Sequence, residues 1–176
     1  MATRMLLMVL LACIIMPVSI MVKEAIKMKG LTITSPAFVH SMAIPARYTC
    51  DGQDINPPLI INAVPDGARS LALIVDDPDA PVGTWVHWLV WNISPQTREI
   101  KESSLLVGAV QGLNDWKRNR YGGPCPPSGT HRYFFKLYAL DIILNLAPST
   151  NKTALERAMQ GHIIAQGELM GTYRRK

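Results

Sequence analysis

Three short segments of this chain carry side chains suited to holding an anion. The first, Asp76-Asp77-Pro78-Asp79-Ala80-Pro81, closes an apolar run, and its two prolines restrict where the carboxylates can point. The second, Trp85-Val86-His87-Trp88, opens the next apolar run. The third is the loop Gly122-Gly123-Pro124-Cys125-Pro126-Pro127-Ser128-Gly129-Thr130 leading into His131-Arg132-Tyr133. A phosphate or carboxylate needs donors, and His87, His131, the Tyr133 hydroxyl and loop N–H groups are all able to donate. Glycine at Gly123 allows close backbone approach. Asp77 repels an anion, so it either orients a histidine or receives the ammonium of a zwitterion. Trp85 and Trp88 are placed to wall such a site or to fill the core. Each segment also has an ordinary reading as a turn, a core histidine or a connector. Their coincidence in one small chain is what points to a site.

The elements that must position these residues are short strands. Leu31–Thr34, Leu59–Val64, Leu71–Asp77, Val86–Ile93 and Tyr133–Leu140 are β-prone runs bounded by Pro, Gly, Asp or Asn. Alternation along Leu71–Asp77 puts Asp77 on the face of Leu71, Leu73 and Val75; along the later run it puts His131 with Tyr133. Leu71–Val75 and Trp88–Trp91 are continuously apolar, which predicts strands covered on both faces. One helix is predicted over Lys152–Gln160, capped by Ser149 or Thr150 and stopped by Gly161. His162–Tyr173 reads as a last, glycine-interrupted strand. Many short strands with one late helix predict a mainly β fold, an antiparallel two-sheet sandwich with one or two short helices.

Composition narrows the class. The chain has 176 residues, 48% hydrophobic and 18% charged, which suits one folded domain and excludes a disordered chain. Its net charge of +5 overstates the basic character of the body. Residues 1–27 hold Arg4, Lys23 and Lys27 against Glu24, and the remaining residues carry a net charge of +3. Those charges are scattered apart from Lys117-Arg118-Asn119-Arg120 and Arg174-Arg175-Lys176, so no nucleic-acid partner is expected. Met5–Val22 carries no charge, which makes residues 1–27 a signal peptide or membrane anchor. The body, residues 28–176, is then periplasmic or membrane-anchored, meeting the membrane only through that segment. Alternatively, Met28 is the true start, residues 1–27 are a spurious leader and the protein is cytoplasmic.

Together the motifs Asp77-Pro-Asp-Ala-Pro81, Val86-His87-Trp88 and Gly123-Pro-x-Pro-Pro-x-Gly-x-His-Arg-Tyr133 resemble the signature of the phosphatidylethanolamine-binding protein family. The likeness is nearest to its bacterial Raf-kinase-inhibitor-like branch, and it extends in order over Lys29–Tyr173. Ile44-Pro-Ala-Arg-Tyr-Thr-Cys-Asp-Gly52, Asn56-Pro-Pro-Leu59, Tyr138-Ala-Leu-Asp141 and Gly171-Thr-Tyr173 add to it. The resemblance implies a β sandwich with a small anion pocket at one end. Asp77, His87, His131 and Tyr133 would line that pocket, the backbone at Gly123-Pro124 would form its rim, and Pro126 would pack there.

Cys50 and Cys125 both flank motif loops. In an exported body they form a disulfide clamping the Gly122–Gly129 loop; in a cytosolic one they remain two buried thiols. No Cys-x-x-Cys or Cys-x-x-His spacing is present, so neither metal nor cofactor is expected. The leading functional expectation is a non-enzymatic binding module for phosphate, phosphoethanolamine-like or carboxylate head groups, which modulates a protein partner. An inhibitor of a kinase or protease acting through its loops is the alternative, and a hydrolase using His87, His131 and Asp77 the lesser one. Nucleophile-elbow spacing is missing for the hydrolase. A homodimer is compatible with the sequence. His131 is expected at the pocket rim.

Overall fold

The computed structural model describes residues 30–104 and 106–175; the segment 1–27, and with it the choice between leader and anchor, lies outside them. Eight strands are present among the described residues: β1 (Thr32–Thr34), β2 (Leu59–Asn62), β3 (Ser70–Asp77), β4 (Trp85–Ile93), β5 (Glu99–Ile100), β6 (Val110–Gln111), β7 (Thr130–Leu140) and β8 (Ile163–Arg174). They form two antiparallel sheets, one of order β1-β2-β5 and one of order β6-β4-β3-β7-β8. The predicted sandwich is therefore the observed architecture. One α-helix, α1 (Lys152–Met159), packs on the outer face of the larger sheet.

Strand β3 is the centre of the molecule, and all eight of its residues are buried. The alternation of its side chains divides the core in two. Leu71, Leu73 and Val75 face the smaller sheet, where they meet Ile33, Leu59, Ile61, Val90, Phe135 and Leu137. Ala72 and Ile74 face the other way, under Leu89, Trp91, Leu140, Leu144 and the helix residues Leu155 and Met159. A strand covered on both faces needs no polar alternation, which is why its sequence is apolar throughout.

Several boundaries differ from expectation for local reasons. β2 stops at Asn62 because Ala63 adopts a left-handed φ of 53°, which breaks the extended chain. The helix is capped by neither Ser149 nor Thr150. Asn151 caps it instead, its Oδ1 accepting the Ala154 N–H at 3.0 Å, while the Thr150 carbonyl accepts the Leu113 N–H. The helix ends at Met159 rather than Gln160, followed by Gly161 at φ +80°. β5 and β6, two residues each, are too short to show periodicity. In β8, a Cβ at Gly167 would sit 2.4 Å from the Leu31 carbonyl oxygen, and one at Gly171 would sit 2.5 Å from Ile44. Those glycines let the segment before β2 cross closely. Residues 41–44 then run along the outer edge of β8, with Ser41 N–H donating to the Met170 carbonyl, Ile44 N–H to the Thr172 carbonyl, and Thr172 N–H to the Met42 carbonyl.

Two covalent or ionic ties cross these layers. Cys50 and Cys125 are joined as a disulfide with their Cα atoms 5.4 Å apart, closing a loop across 75 residues. Loop-closure arguments give a cross-link of that span about 4–5 kcal/mol of stabilisation. On the helix side, Oδ2 of the fully buried Asp76 carboxylate accepts from Lys136 Nζ at 3.0 Å and Lys152 Nζ at 2.5 Å, which ties α1 to β3 and β7. Replacing both lysines by methionine should leave that carboxylate without a counter-charge and cost about 3–5 kcal/mol in denaturant unfolding. Adding Asp76→Leu to the same variant should recover most of the loss. An unchanged midpoint for the double variant would show the cluster is not a structural tie.

Candidate binding cleft

β3 ends at Asp77, where the Asp-Pro turn begins. Asp77 Oδ1 accepts the N–H of Asp79 at 2.8 Å, which fixes the carboxylate, and Oδ2 lies 2.8 Å from His131 Nδ1. A carboxylate only accepts, so Nδ1 of His131 carries the proton and Nε2 is its free ring nitrogen. Asp79 clamps the start of β7, taking the Arg132 backbone N–H at 2.9 Å and its guanidinium at 2.6 and 2.8 Å. The Arg132 hydrogen bonds hold the Asp79 carboxyl down at about 2.

His87 reaches the same place through an irregularity in pairing. Val75 is opposite Trp88, but the next residue, Asp76, is opposite Val86, so His87 is the extra residue of a β-bulge. Strict alternation would send His87 to the helix side with Leu89 and Trp91; the bulge turns it to the face of Trp88 and Val75. His87 Nδ1 donates to the Gly122 carbonyl at 2.7 Å, and the His87 carbonyl accepts the Gly122 N–H at 3.0 Å. Burial pushes the His87 imidazole below its ordinary pKa. It is therefore neutral at pH 7, with Nε2 as a free acceptor. Tyr133 stands edge-on to it at 5.2 Å between ring centroids. The Tyr133 hydroxyl is buried, and burial, with the Asp77 charge second, holds it firmly protonated.

Asp77, His87 and His131 form the polar part of a cleft of about 270 Å³. Its walls are apolar: Pro81 and Val82 from the Asp-Pro turn, Pro127 from the third loop, and the rings of Trp85 and Trp116. Trp116 packs edge-on against both Trp85 and His87, at 5.3 and 5.0 Å. No motif or periodicity marks Trp116 in the sequence; its one signal is a large aromatic residue within the polar run Asn114-Asp115-Trp116-Lys117. Trp85 is a wall residue with a buried, unpartnered indole N–H. Trp88 belongs to the core and donates to Gln111 Oε1 at 2.6 Å.

The remaining expected residues lie outside the lining of this cleft. The Gly123 N–H donates to Asp54 Oδ1 at 2.6 Å, so it is spent on the fold, and Gly123 faces a separate, smaller cleft. A Cβ there would meet the Tyr48 carbonyl at 2.6 Å. The Pro124 carbonyl accepts the Cys50 N–H, and Pro126 is buried; the wall proline is Pro127. His131 is 7% exposed, a buried residue rather than a rim one, because Asp77 draws it inward. Asp77 orients that histidine, and with Oδ1 taken by the Asp79 N–H and Oδ2 by His131 it leaves no open carboxylate oxygen for an ammonium.

Comparison with known proteins agrees with this architecture. The sequence model of the phosphatidylethanolamine-binding protein family matches residues 34–174. A UPF0098 protein of Methanothermobacter thermautotrophicus is 49% identical over 150 residues, covering 82% of this chain and 99% of the relative. One from Pyrococcus horikoshii is 52% identical over 151 residues, covering 81% and 76% respectively. Among solved structures, a phosphatidylethanolamine-binding protein homologue from Chlamydia trachomatis superposes with a TM-score of 0.82 at 45% identity, covering 85% of this chain and 100% of that one. E. coli YbcL, described as a member of the mammalian family, superposes with a TM-score of 0.79 at 29% identity, covering 84% and 99%. With the family pattern spanning the described body and the same two-sheet architecture in solved relatives, this chain belongs to the phosphatidylethanolamine-binding protein family.

Proposed function

We propose that this chain is a non-enzymatic binding module whose cleft at Asp77, His87 and His131 takes the acid group of a small phosphate monoester, sulfate or carboxylate. The observation that carries this reading is a set of unspent polar atoms around one apolar cleft. The Trp85 indole N–H is buried without a partner, and His87 and His131 each have Nδ1 occupied and Nε2 free. Buried donors are rarely left unpaired, and a ligand oxygen would satisfy them. Against covalent catalysis, the lining contains no serine or threonine, and its only cysteine, Cys125, is in the disulfide.

The walls favour a ligand with an apolar body. Burying roughly 60 Å² of a phenyl ring against Trp85, Trp116 and Val82 is worth about 1.5 kcal/mol, about tenfold in affinity. Phenyl phosphate should therefore bind about tenfold more tightly than phosphoethanolamine, measured by two-dimensional NMR titration of the Gly122–Tyr133 amides. His87→Gln and His131→Gln should each weaken phenyl phosphate by about tenfold or more while retaining the native spectrum. Native-like binding by both variants would remove the cleft as the site.

Binding should also couple to protons. His87 is neutral at pH 7 because burial lowers its pKa, and an anion favours its protonated form. Affinity should thus rise as pH falls from 8 to 6, by at most about tenfold per unit for one proton taken up. Phenyl sulfate, which does not itself titrate in that range, is the appropriate probe. A flat profile would mean that His87 takes up no proton on binding.

The same proposal places the body in an oxidising compartment, exported by residues 1–27, since structural disulfides persist there. Alkylation of the full chain in intact cells should then modify Cys50 and Cys125 only after reduction. Labelling of both thiols without reductant would place the protein in the cytoplasm instead.

A further inference from the structure

Beyond the first cleft, on the far side of Trp116, lies a second of about 190 Å³, lined by Arg118, Arg120, Asp54, Gly123 and the Cys50–Cys125 disulfide. Trp116 and Cys125 line both clefts, so the two adjoin at these residues. The Trp116 ring is fixed in place. It lies so close over Gly122 that a Cβ there would come within 2.6 Å of it, and it packs edge-on against Trp85 and His87.

The loop carrying the two arginines is held from beneath by Asn114, which is 1% exposed. Its Oδ1 accepts the Arg118 N–H at 3.0 Å, its Nδ2 donates to the Arg120 carbonyl at 2.9 Å, and its backbone N–H donates to the Arg118 carbonyl at 3.0 Å. Asn119, between the arginines, turns away and donates to the Gln111 and Pro148 carbonyls. Lys117 makes the turn with a left-handed φ of 61°. The backbone is thus committed, but the guanidinium groups are not: neither Arg118 nor Arg120 pairs with a carboxylate among the described residues. The carboxylate in this cleft, Asp54, already accepts the Gly123 N–H. Two guanidinium groups without a salt bridge, against the single Asp54 carboxylate, leave this cleft net positive beside an aromatic wall, which suits a planar acid.

We propose that the two clefts act as one bipartite site for a small diacid, with one acid group held at His87 and His131, its apolar body crossing Trp116, and a second acid group held by Arg118 and Arg120. This inference rests on the reading of the first cleft. It also names the class of ligand: a compact molecule with two anionic ends on a flat or aliphatic body, rather than a single head group.

The test uses phenyl phosphate and a series of phenyl phosphates bearing a para-carboxyalkyl chain of increasing length. In the native protein, the best-fitting member should bind at least about fivefold more tightly than phenyl phosphate, from a charged contact made at the surface. Its binding should shift the amide signals of Arg118, Asn119 and Arg120 as well as those of the Gly122–Tyr133 loop. In Arg118→Gln/Arg120→Gln the advantage should vanish while phenyl phosphate binds as in the native protein. In Arg118→Glu/Arg120→Glu, the analogue carrying an amine in place of the carboxylate should become the better ligand, which a merely structural role for the loop would not produce. Equal affinity for the tethered and plain compounds in the native protein, or an advantage that persists without the arginines, overturns the inference and leaves the first cleft standing. Failure of phenyl phosphate itself to bind overturns both.

Discussion

The structure depends on a buried strand that ends in two adjacent carboxylates. Alternation along β3 makes Asp76 and Asp77 point to opposite faces of the larger sheet, and both are buried, at 0% and 3% exposure. A buried carboxylate survives only with a partner, so each face must supply one. On the helix side two lysines, one from β7 and one from α1, converge on Asp76. On the other side His131 meets Asp77, and that pairing determines which of its ring nitrogens remains free. The same chemical requirement, met with different partners, gives one face a structural clasp and the other a candidate site.

Around Asp77 the site is assembled from backbone more than from side chains. The bulge that admits His87, the reciprocal bonds between His87 and Gly122, and the Asp79–Arg132 clamp all fix positions before any ligand arrives. The disulfide then holds the Gly122–Gly129 loop against the segment around Cys50, whose N–H bonds back to Pro124. Such a scaffold leaves few rotamers to be frozen on binding, which favours a small ligand over one that must order a loop.

How far this could be read beforehand varies by feature. The central strands were legible because Leu71–Val75 and Trp88–Trp91 are long apolar runs, and the pairing of His131 with Tyr133 followed from simple alternation. Asp77, His87 and His131 were identified from their motifs, and those three are the ones that the fold brings together. His87 is the instructive case: period-two counting alone would send it to the helix side, and only the pairing partner reveals the bulge. Gly123 and Pro124 are adjacent in sequence to the cleft but serve packing, since the Gly123 amide and missing Cβ are matched to Asp54 and Tyr48 and the Pro124 carbonyl to Cys50, while Pro126 is simply buried. Trp116 went unseen because nothing periodic marks a loop aromatic, and its role arises from the distant Trp85 and Gly122. The two-residue strands β5 and β6 exist only through their partners.

The outer strand β8 has two halves with different exposure to other molecules. Its later half is covered by residues 41–44, whose amides and carbonyls occupy the pairing positions at Met170 and Thr172. Among the described residues no segment pairs with the outer edge of its earlier half, which begins with Ile163 and Ile164, both more than 40% exposed. An uncovered, apolar edge is where strands of separate molecules join. The crossing segment thus takes up pairing positions on β8 that another strand could otherwise use, as well as contributing Ile44 to the core. A change that loosened it, such as bulk at Gly171, would lengthen the open edge towards the end of the sheet where the cleft lies.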